Sequence, residues 1–254
     1  MDLQNQTVDS RIRVGETLFD IPVKYTDTTA FMAFFPIPRK KAEEILGTNR
    51  LNPVSILGNR SILGLTVFDY KSCQAGPYRE VAISVPVIMD SKINIPILPL
   101  LAGQLFPNFY FYSILLAMNT DLAMAHSEEI FGYPTFKRKV DVDFKKELDM
   151  LTISSREGGS KIFSLKTRVP KKTKKIKTKF RTCFKKDGLL YSVNLYAEAD
   201  ETNFTDHSNF DFELGNHEIS KIIGDLKINP RPMQCVFYRE AVEILDLPQN
   251  RGKI

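Results

Sequence analysis

The side chains best suited to chemistry lie in two segments of the sequence. Residues 76–87 begin with a Gly-Pro-Tyr-Arg-Glu turn and place Glu80 at the start of an apolar strand. Residues 126–140 run through a Gly-Tyr-Pro turn to the cations Lys137 and Arg138. Carboxylates and amines serve in proton transfer and in nucleophilic attack on carbonyl groups. The two segments are therefore the candidates for a common site.

The cysteines and histidines are too far apart in the sequence to indicate a second candidate site. The three cysteines and three histidines show neither a CxxC nor an HxxxH spacing, so the sequence predicts no metal site and no disulfide framework. His126 falls on a predicted helix, where a structural role is the more common one. Cys73 falls in a predicted hairpin turn with no base nearby to activate its thiol. No phosphate-binding glycine motif occurs, and no cofactor is predicted.

Short strands joined by hairpin turns dominate the pattern. Apolar or alternating runs predict strands over 31–37, 61–70, 80–89, 108–118, 137–144, 151–157, 161–169 and, with a possible turn into helix, 234–245. Helices are predicted over 39–47, 121–131 and 217–226, with Gly47 ending the first and Asn119 and Thr120 able to cap the second. The Asp187-Gly188 pair predicts a hairpin turn. The most apolar stretch, 93–118, is interrupted by prolines, which favours buried strands over a membrane helix. The predicted class is α+β and mainly antiparallel β: a closed or partly closed barrel with a few short flanking helices.

The order and spacing of the two segments resemble the acetoacetate decarboxylase superfamily. A Gly-Pro-Tyr-x-Glu turn precedes a Glu-x-x-Gly-Tyr-Pro helix exit by about fifty residues. The likeness extends over roughly residues 15–246. It implies a barrel or cone fold, a homo-oligomer, and a lyase acting on a small β-keto or related oxo acid. In that family a neutral lysine forms a Schiff base with the substrate ketone, and the resulting iminium accepts the electrons released by decarboxylation.

The sequence departs from the family pattern at the nucleophile. The Schiff-base lysine of the family directly follows the proline of the Tyr-Pro motif, and Thr135 stands there in this chain, followed by Phe136. Glu80 matches one family pocket glutamate. The other is expected near Leu65 or Thr66, where no carboxylate is found. The resemblance also implies a pocket arginine near the first strand, where Arg11 and Arg13 are the candidates.

A displaced nucleophile is one hypothesis that follows. If residues 135–137 were extended, Lys137 would share a face with Thr135, and its long stem could carry the amine back to the pocket. The predicted catalytic set is then Lys137, Glu80 and Thr135. Tyr133, Phe136, Arg138 and Glu129 are the predicted substrate-binding residues. Under the alternative interpretation, Lys137 and Arg138 are solvated, Phe136 fills apolar space and Glu129 lies at the surface.

The net charge of +5 comes from one segment. Residues 168–186 hold 10 basic residues and no acid, and without them the chain would carry −5. The segment could bind nucleic acid, an acidic membrane or an acidic protein, or it could be a solvated loop. Its aromatics are not interleaved for base stacking, so nucleic acid and membrane partners are not favoured.

Length and composition predict one soluble domain with a sizeable core. The predicted layout is a polar segment over 1–14, one domain over 15–246 containing a basic loop at 171–179, and a tail over 247–254. The N-terminal residues do not resemble a signal peptide, which predicts a cytoplasmic protein. Three functions stay open: a lyase with altered catalytic residues, a catalytically silent protein that binds a small ligand in the same fold, and an adaptor that uses residues 171–186 on acidic surfaces.

Overall fold

The computed structural model describes residue 3 and residues 7–57, 59–91, 106–206 and 208–254. Fifteen strands lie within these ranges: β1 (Ser10–Val14), β2 (Thr17–Ile21), β3 (Val23–Pro38), β4 (Leu51–Pro53), β5 (Arg60–Cys73), β6 (Tyr78–Met89), β7 (Phe109–Met118), β8 (Asp141–Glu147), β9 (Met150–Glu157), β10 (Ser160–Arg168), β11 (Lys174–Lys186), β12 (Leu189–Phe204), β13 (Asp211–Leu214), β14 (Gln234–Leu245) and β15 (Gln249–Lys253). The described helices are α1 (Arg39–Leu46), α2 (Asp121–His126), which continues as one π-helical stretch (Ser127–Phe131), and α3 (Glu218–Asp225). None of these helices has the length and apolar character needed to span a membrane.

Seven strands close into a barrel. Their order is β11-β7-β6-β5-β3-β14-β12, and the β11–β12 hairpin completes the ring. Every pairing is antiparallel except β7 with β11, which is parallel and short. The hairpin turns at Asp187 and Gly188, both with positive φ, as the Asp-Gly pair predicts. The mainly antiparallel barrel predicted from the sequence is confirmed.

Side chains along the barrel strands alternate between the interior of the barrel and a hydrophobic core on its outer face. On β5, Leu65 and Val67 are fully buried against the outer layer, while Thr66 and Phe68 line the barrel interior. On β6 the same alternation turns Glu80 inward. Residues at i and i+2 of a strand share a face. The apolar face of these strands therefore packs against the outer layer, and the face with mixed residue types lines the barrel interior.

A second sheet, ordered β13-β10-β9-β8, covers the outward face of the barrel strands. Its buried side chains, among them Leu151, Ile153 and Phe163, join the barrel residues and Ile219 of α3 in one hydrophobic cluster. The apolar surface that this layer removes from water is the principal stabilising contribution. The layer also holds the barrel strands from outside and leaves their inner face free for a cavity.

Most predicted elements are found, with boundary shifts. Gly47 ends α1 in a left-handed conformation, and Thr120 caps α2 through its side chain, as predicted. The strand predicted over 137–144 begins only at Asp141, because residues 137–138 form a bend. The prediction for 93–105 falls outside the described residues. Residues 234–245 form a strand throughout.

The basic segment and the C-terminal residues differ from their predicted form. The loop predicted over 171–179 is wrong for most of its length, because β11 begins at Lys174 and closes the barrel. The predicted tail contains β15, which pairs with β12. Strand β11 lies opposite an acidic stretch of β12, so that Lys174 faces Glu201 and Lys177 faces Glu198. The basic run is therefore partly neutralised across the strand pair.

Candidate functional site

A cavity of about 110 Å³ occupies the interior of the barrel. All seven barrel strands contribute to its lining, together with Ser127 and Phe131 of the π-helical stretch and Tyr133 just after it. Its walls are mostly apolar and aromatic, and five tyrosines are among them: Tyr25, Tyr70, Tyr78, Tyr133 and Tyr238. Pockets with apolar walls and a few convergent polar groups are typical small-molecule sites.

Two glutamates bring carboxyl groups into this cavity. Glu80 lies on β6 opposite Phe68 of β5 and Met118 of β7. Glu243 lies on β14 opposite Tyr25 of β3. Glu80 is 7% exposed and Glu243 is 1% exposed. Two non-adjacent strands of the barrel, separated by β5 and β3, thus each supply one carboxyl group to a nearly dry interior.

Neither carboxyl has a cation beside it in the described lining, which contains no lysine and no arginine. Burial raises the pKa of Glu80 to about 8, and repulsion from Glu243 adds to the increase. Burial likewise raises the pKa of Glu243 to about 8. One oxygen of Glu243, Oε2, has no hydrogen-bond partner among the described residues. The cavity therefore presents two protonatable carboxyl groups, and Glu243 keeps one buried oxygen without a partner among the described residues.

A hydrogen-bonded chain leads from the cavity wall to His126. The hydroxyl of Tyr78 bonds to that of Tyr25, which lies 3.0 Å from Nε2 of His126. Nδ1 of His126 lies 3.0 Å from the carbonyl oxygen of Ala123, so Nδ1 carries the proton and donates it. Burial lowers the pKa of His126 and keeps the ring neutral. Nε2 then accepts from Tyr25, which fixes the orientation of both tyrosine hydroxyls.

Tyr133 is the one predicted substrate-binding residue that lines the cavity. Gly132, with φ +80°, ends the π-helical stretch in a conformation that other residues seldom adopt. The turn brings the Tyr133 ring inside, where its hydroxyl lies 2.5 Å from Oγ1 of Thr182 on β11. The Gly-Tyr-Pro motif thus shapes one wall of the site.

Thr135 and Lys137 lie together, but outside the described lining of the cavity. Thr135 bridges to Leu116 of β7, and its hydroxyl donates to Glu128. The amine of Lys137 is 2.6 Å from the other oxygen of Glu128, and its side chain is 73% exposed. The expectation that Lys137 shares a strand face with Thr135 and reaches the pocket is wrong, because the chain bends at 137–138.

The remaining predicted residues lie at the surface or in a separate group of charged side chains. This group, which we call the outer ion cluster, consists of Arg138, Glu157, His217 and Glu218. Arg138 binds both glutamates and lies over the ring of Phe136, which packs edge-on against His217. Glu129 is exposed. Of the residues predicted for the site, the structure therefore brings only Glu80 and Tyr133 into the cavity.

Two arginine candidates from the first strand are also placed outside. Arg11 pairs with Asp20 at 2.7 Å, and its side chain is 61% exposed. Arg13 is exposed on the same strand, β1. The cationic group that the resemblance led us to expect in the pocket is thus absent from the described lining.

Sequence reasoning missed Glu243. The second carboxyl was expected on β5, where Thr66 lines the cavity instead. A signal was present: Ala241, Glu243 and Leu245 alternate along β14 and are all buried. A charge in the middle of an inward-facing apolar series predicts a buried carboxyl. His126 was considered and set aside, and its link to Tyr25 depends on contacts distant in sequence.

Metal ligation has little support in the described part of the chain. No group of three or more histidine, cysteine, aspartate or glutamate side chains is placed there to hold an ion. The three cysteines are free thiols, and Cys183 and Cys235 are buried. The reactive groups at hand are thus the carboxyl pair and the tyrosine hydroxyls.

Comparisons with known proteins agree with this architecture. One structure described as acetoacetate decarboxylase aligns with a TM-score of 0.66 and 12% identity over 99% of this chain and 97% of its own. Acetoacetate decarboxylase from Legionella pneumophila subsp. pneumophila aligns with a TM-score of 0.65 and 12% identity, over 98% and 93%. The enduracididine biosynthesis enzyme MppR aligns with a TM-score of 0.62 and 8% identity, over 91% and 88%. At these identities the likeness shows the fold.

Sequence comparison supplies the family. No curated protein matches the sequence. The family model for acetoacetate decarboxylase matches residues 13–243, which is most of the chain and includes both cavity glutamates. On this evidence the chain belongs to the acetoacetate decarboxylase family.

Proposed function

We propose that this protein binds a small ligand inside its barrel and does so without forming a Schiff base. The observation that supports the proposal is the absence of any amine from the described lining of the cavity. A hydroxyl cannot replace a lysine in this reaction, because an iminium requires a nitrogen nucleophile. Thr135 also bonds to Glu128, outside that lining.

The size and walls of the cavity set the kind of ligand. Engineered cavities of about 150 Å³ accommodate benzene. A cavity of about 110 Å³ therefore suits a molecule of roughly five or six non-hydrogen atoms. Above about pH 8, where Glu80 and Glu243 are ionised, a β-keto acid would bring a third carboxylate into a cavity whose described lining has no cation, which is electrostatically unfavourable. The proposed ligand is accordingly not a small anion.

An acid–base enzyme is the second candidate, and the carboxyl pair favours it. General acid–base catalysis is most effective when the pKa of the group lies near the working pH. The pKa of about 8 for both Glu80 and Glu243 meets this condition. A lyase of this type would move a proton through the carboxyl pair and would not need the family's lysine.

The adaptor hypothesis receives less support. It requires the cations of residues 171–186 to be available to an acidic surface. Lys177 lies 2.7 Å from Glu198, and further acids of β12 face the strand in register. Homo-oligomer formation, which the family resemblance implies, stays a prediction.

Borohydride trapping tests the proposal. The protein is incubated with acetoacetate or with pyruvate, reduced, and mapped by mass spectrometry, with an active family member treated in parallel. We expect no ligand-dependent adduct on any lysine, Lys137 included, while the active member is labelled. A stoichiometric adduct on one lysine would overturn the proposal and restore the Schiff-base lyase.

A further inference from the structure

We infer that the cavity selects a small organic cation, such as a protonated alkylamine, over a neutral or anionic molecule of the same size. This inference rests on the proposed function and narrows it to one ligand class. It is carried by two buried carboxyl groups that enter one aromatic cavity and lack a protein cation.

The carboxyl pair supplies the charge that recognises an ammonium group. Glu80 and Glu243 both line the cavity, and Oε2 of Glu243 has no partner among the described residues. A buried acceptor without a partner costs free energy until a donor reaches it. An ammonium group brings several N–H donors and a full opposite charge, so it would satisfy this oxygen and relieve the repulsion between the two carboxyls.

The aromatic wall supplies the second element of recognition. The rings of Tyr25 and Tyr70 lie with centroids 4.5 Å apart, and those of Tyr70 and Tyr78 lie 4.6 Å apart. These three rings, which we call the tyrosine wall, all line the cavity. Aromatic faces attract cations, more strongly where water is excluded, and they accommodate the alkyl part of an amine. A neutral or anionic ligand would gain only the apolar contacts.

A metal ion is a poorer match for the same residues. Divalent cations such as Ca²⁺ take six to eight oxygen ligands. The described residues offer no cluster of three potential metal ligands, and the cavity walls are largely carbon. An ion with an apolar body fits both the carboxyls and the rings.

A matched ligand series tests the inference. Butylammonium, butan-1-ol and butyrate have nearly the same length and differ in charge. Binding of each to the full-length protein is measured at about pH 9, above the pKa of about 8 of both cavity glutamates, by ligand-observed NMR with isothermal titration calorimetry. We expect butylammonium to bind at least ten-fold more tightly than butanol, and butyrate to bind more weakly than either. Glu243→Gln and Glu80→Gln should each weaken butylammonium binding ten-fold or more, with little change for butanol.

Glu147→Gln is the control, because Glu147 is an exposed carboxylate on the outer sheet, and its removal should leave all three affinities unchanged. Circular dichroism confirms that each variant is folded, and the butanol affinity reports an intact cavity. Equal binding of butanol and butylammonium, or unchanged butylammonium binding in both glutamine variants, would overturn the inference while leaving ligand binding intact. If none of the three ligands binds, the cation inference and the proposed function both fail.

Discussion

The glutamates of the outer ion cluster and those of the cavity have opposite environments. In the outer ion cluster, Glu157 lies 2.7 Å from Nε2 of His217 and 2.6 Å from Nε of Arg138, and these contacts lower its pKa. In the cavity, Glu80 and Glu243 have no such cation in the described lining, and burial raises their pKa values to about 8. The outer carboxylate is satisfied within the structure, whereas the inner pair is left for a ligand or a proton.

This difference distinguishes charged side chains that stabilise the fold from those that are available to a ligand. The outer ion cluster joins β9, α3 and the bend at 137–138, and it needs no other molecule. The inner pair lowers the stability of the folded chain when it ionises, a cost that a purely structural protein could avoid by placing apolar residues there. Unsatisfied, perturbed groups in a cavity are the stronger indication of a functional site.

The largest expected effect concerns pH and the cavity pair. Between about pH 4.5 and 8 the folded protein holds more protons than the unfolded chain, because both folded-state pKa values are raised from 4.5 to about 8. The free energy of unfolding should therefore be highest at acidic pH for this pair, fall across that window and level off above it. Glu243→Gln should raise the free energy of unfolding at pH 8 by roughly 2–4 kcal/mol and change it little at pH 5.

Denaturant unfolding at several pH values checks this prediction. Glu147→Gln, which changes an exposed carboxylate, should follow the original chain at every pH. If the free energy of unfolding of Glu243→Gln had the same pH dependence as that of the original chain, the pKa of Glu243 would not be raised by burial, and the contrast with the outer carboxylates would be wrong.

A smaller loss is expected at the hydrogen-bonded chain behind the cavity. Tyr25→Phe removes the hydroxyl that bonds to His126 and leaves Nε2 of that ring without its donor. An unsatisfied buried acceptor should cost about 1–2 kcal/mol in the free energy of unfolding. Tyr196→Phe is the control, because it removes a tyrosine hydroxyl while keeping the ring over Lys179. Equal stability of the two variants would argue against the chain from Tyr78 to His126.

The outer ion cluster should respond as a structural element alone. His217 caps α3 by accepting from the amide of Ile219, so His217→Ala should lower the free energy of unfolding by about 1 kcal/mol. His217→Asn should recover most of that loss, since asparagine is a good helix cap. Butylammonium binding should be the same in both variants. A change in its affinity would mean that the outer and inner regions are coupled.

The smallest effect is expected at Lys137. Its ion pair with Glu128 is mostly exposed, and such pairs contribute below about 1 kcal/mol. Lys137→Met should alter the free energy of unfolding by less than about 0.5 kcal/mol and leave ligand binding unchanged. Loss of binding or of a measured activity in this variant would show that Lys137 is a functional residue. It would also contradict the account in which ligand binding depends on the cavity residues and not on the residues outside the barrel.

The sequence predicted the barrel far better than the site. Strand alternation, the Asp187-Gly188 turn and the cap at Thr120 are local signals, and each led to the correct element. The meeting of Glu80 with Glu243 depends on closure of the barrel, which joins residues more than 160 positions apart. Lys137 was misplaced for a local reason: the extended geometry assumed for 135–137 is broken by a bend that the run of charged residues did not reveal.

One measurement tests the contrast between the two regions most directly. The protein is labelled with ¹³C at the glutamate side-chain carboxyls and titrated by NMR, with Glu80→Gln and Glu243→Gln used to assign the two cavity signals. We predict that these two signals titrate near pH 8, well separated from the signals of exposed glutamates. Titration of both near 4.5 would contradict the account, because it would show that the cavity carboxyls are as well solvated or paired as those on the surface.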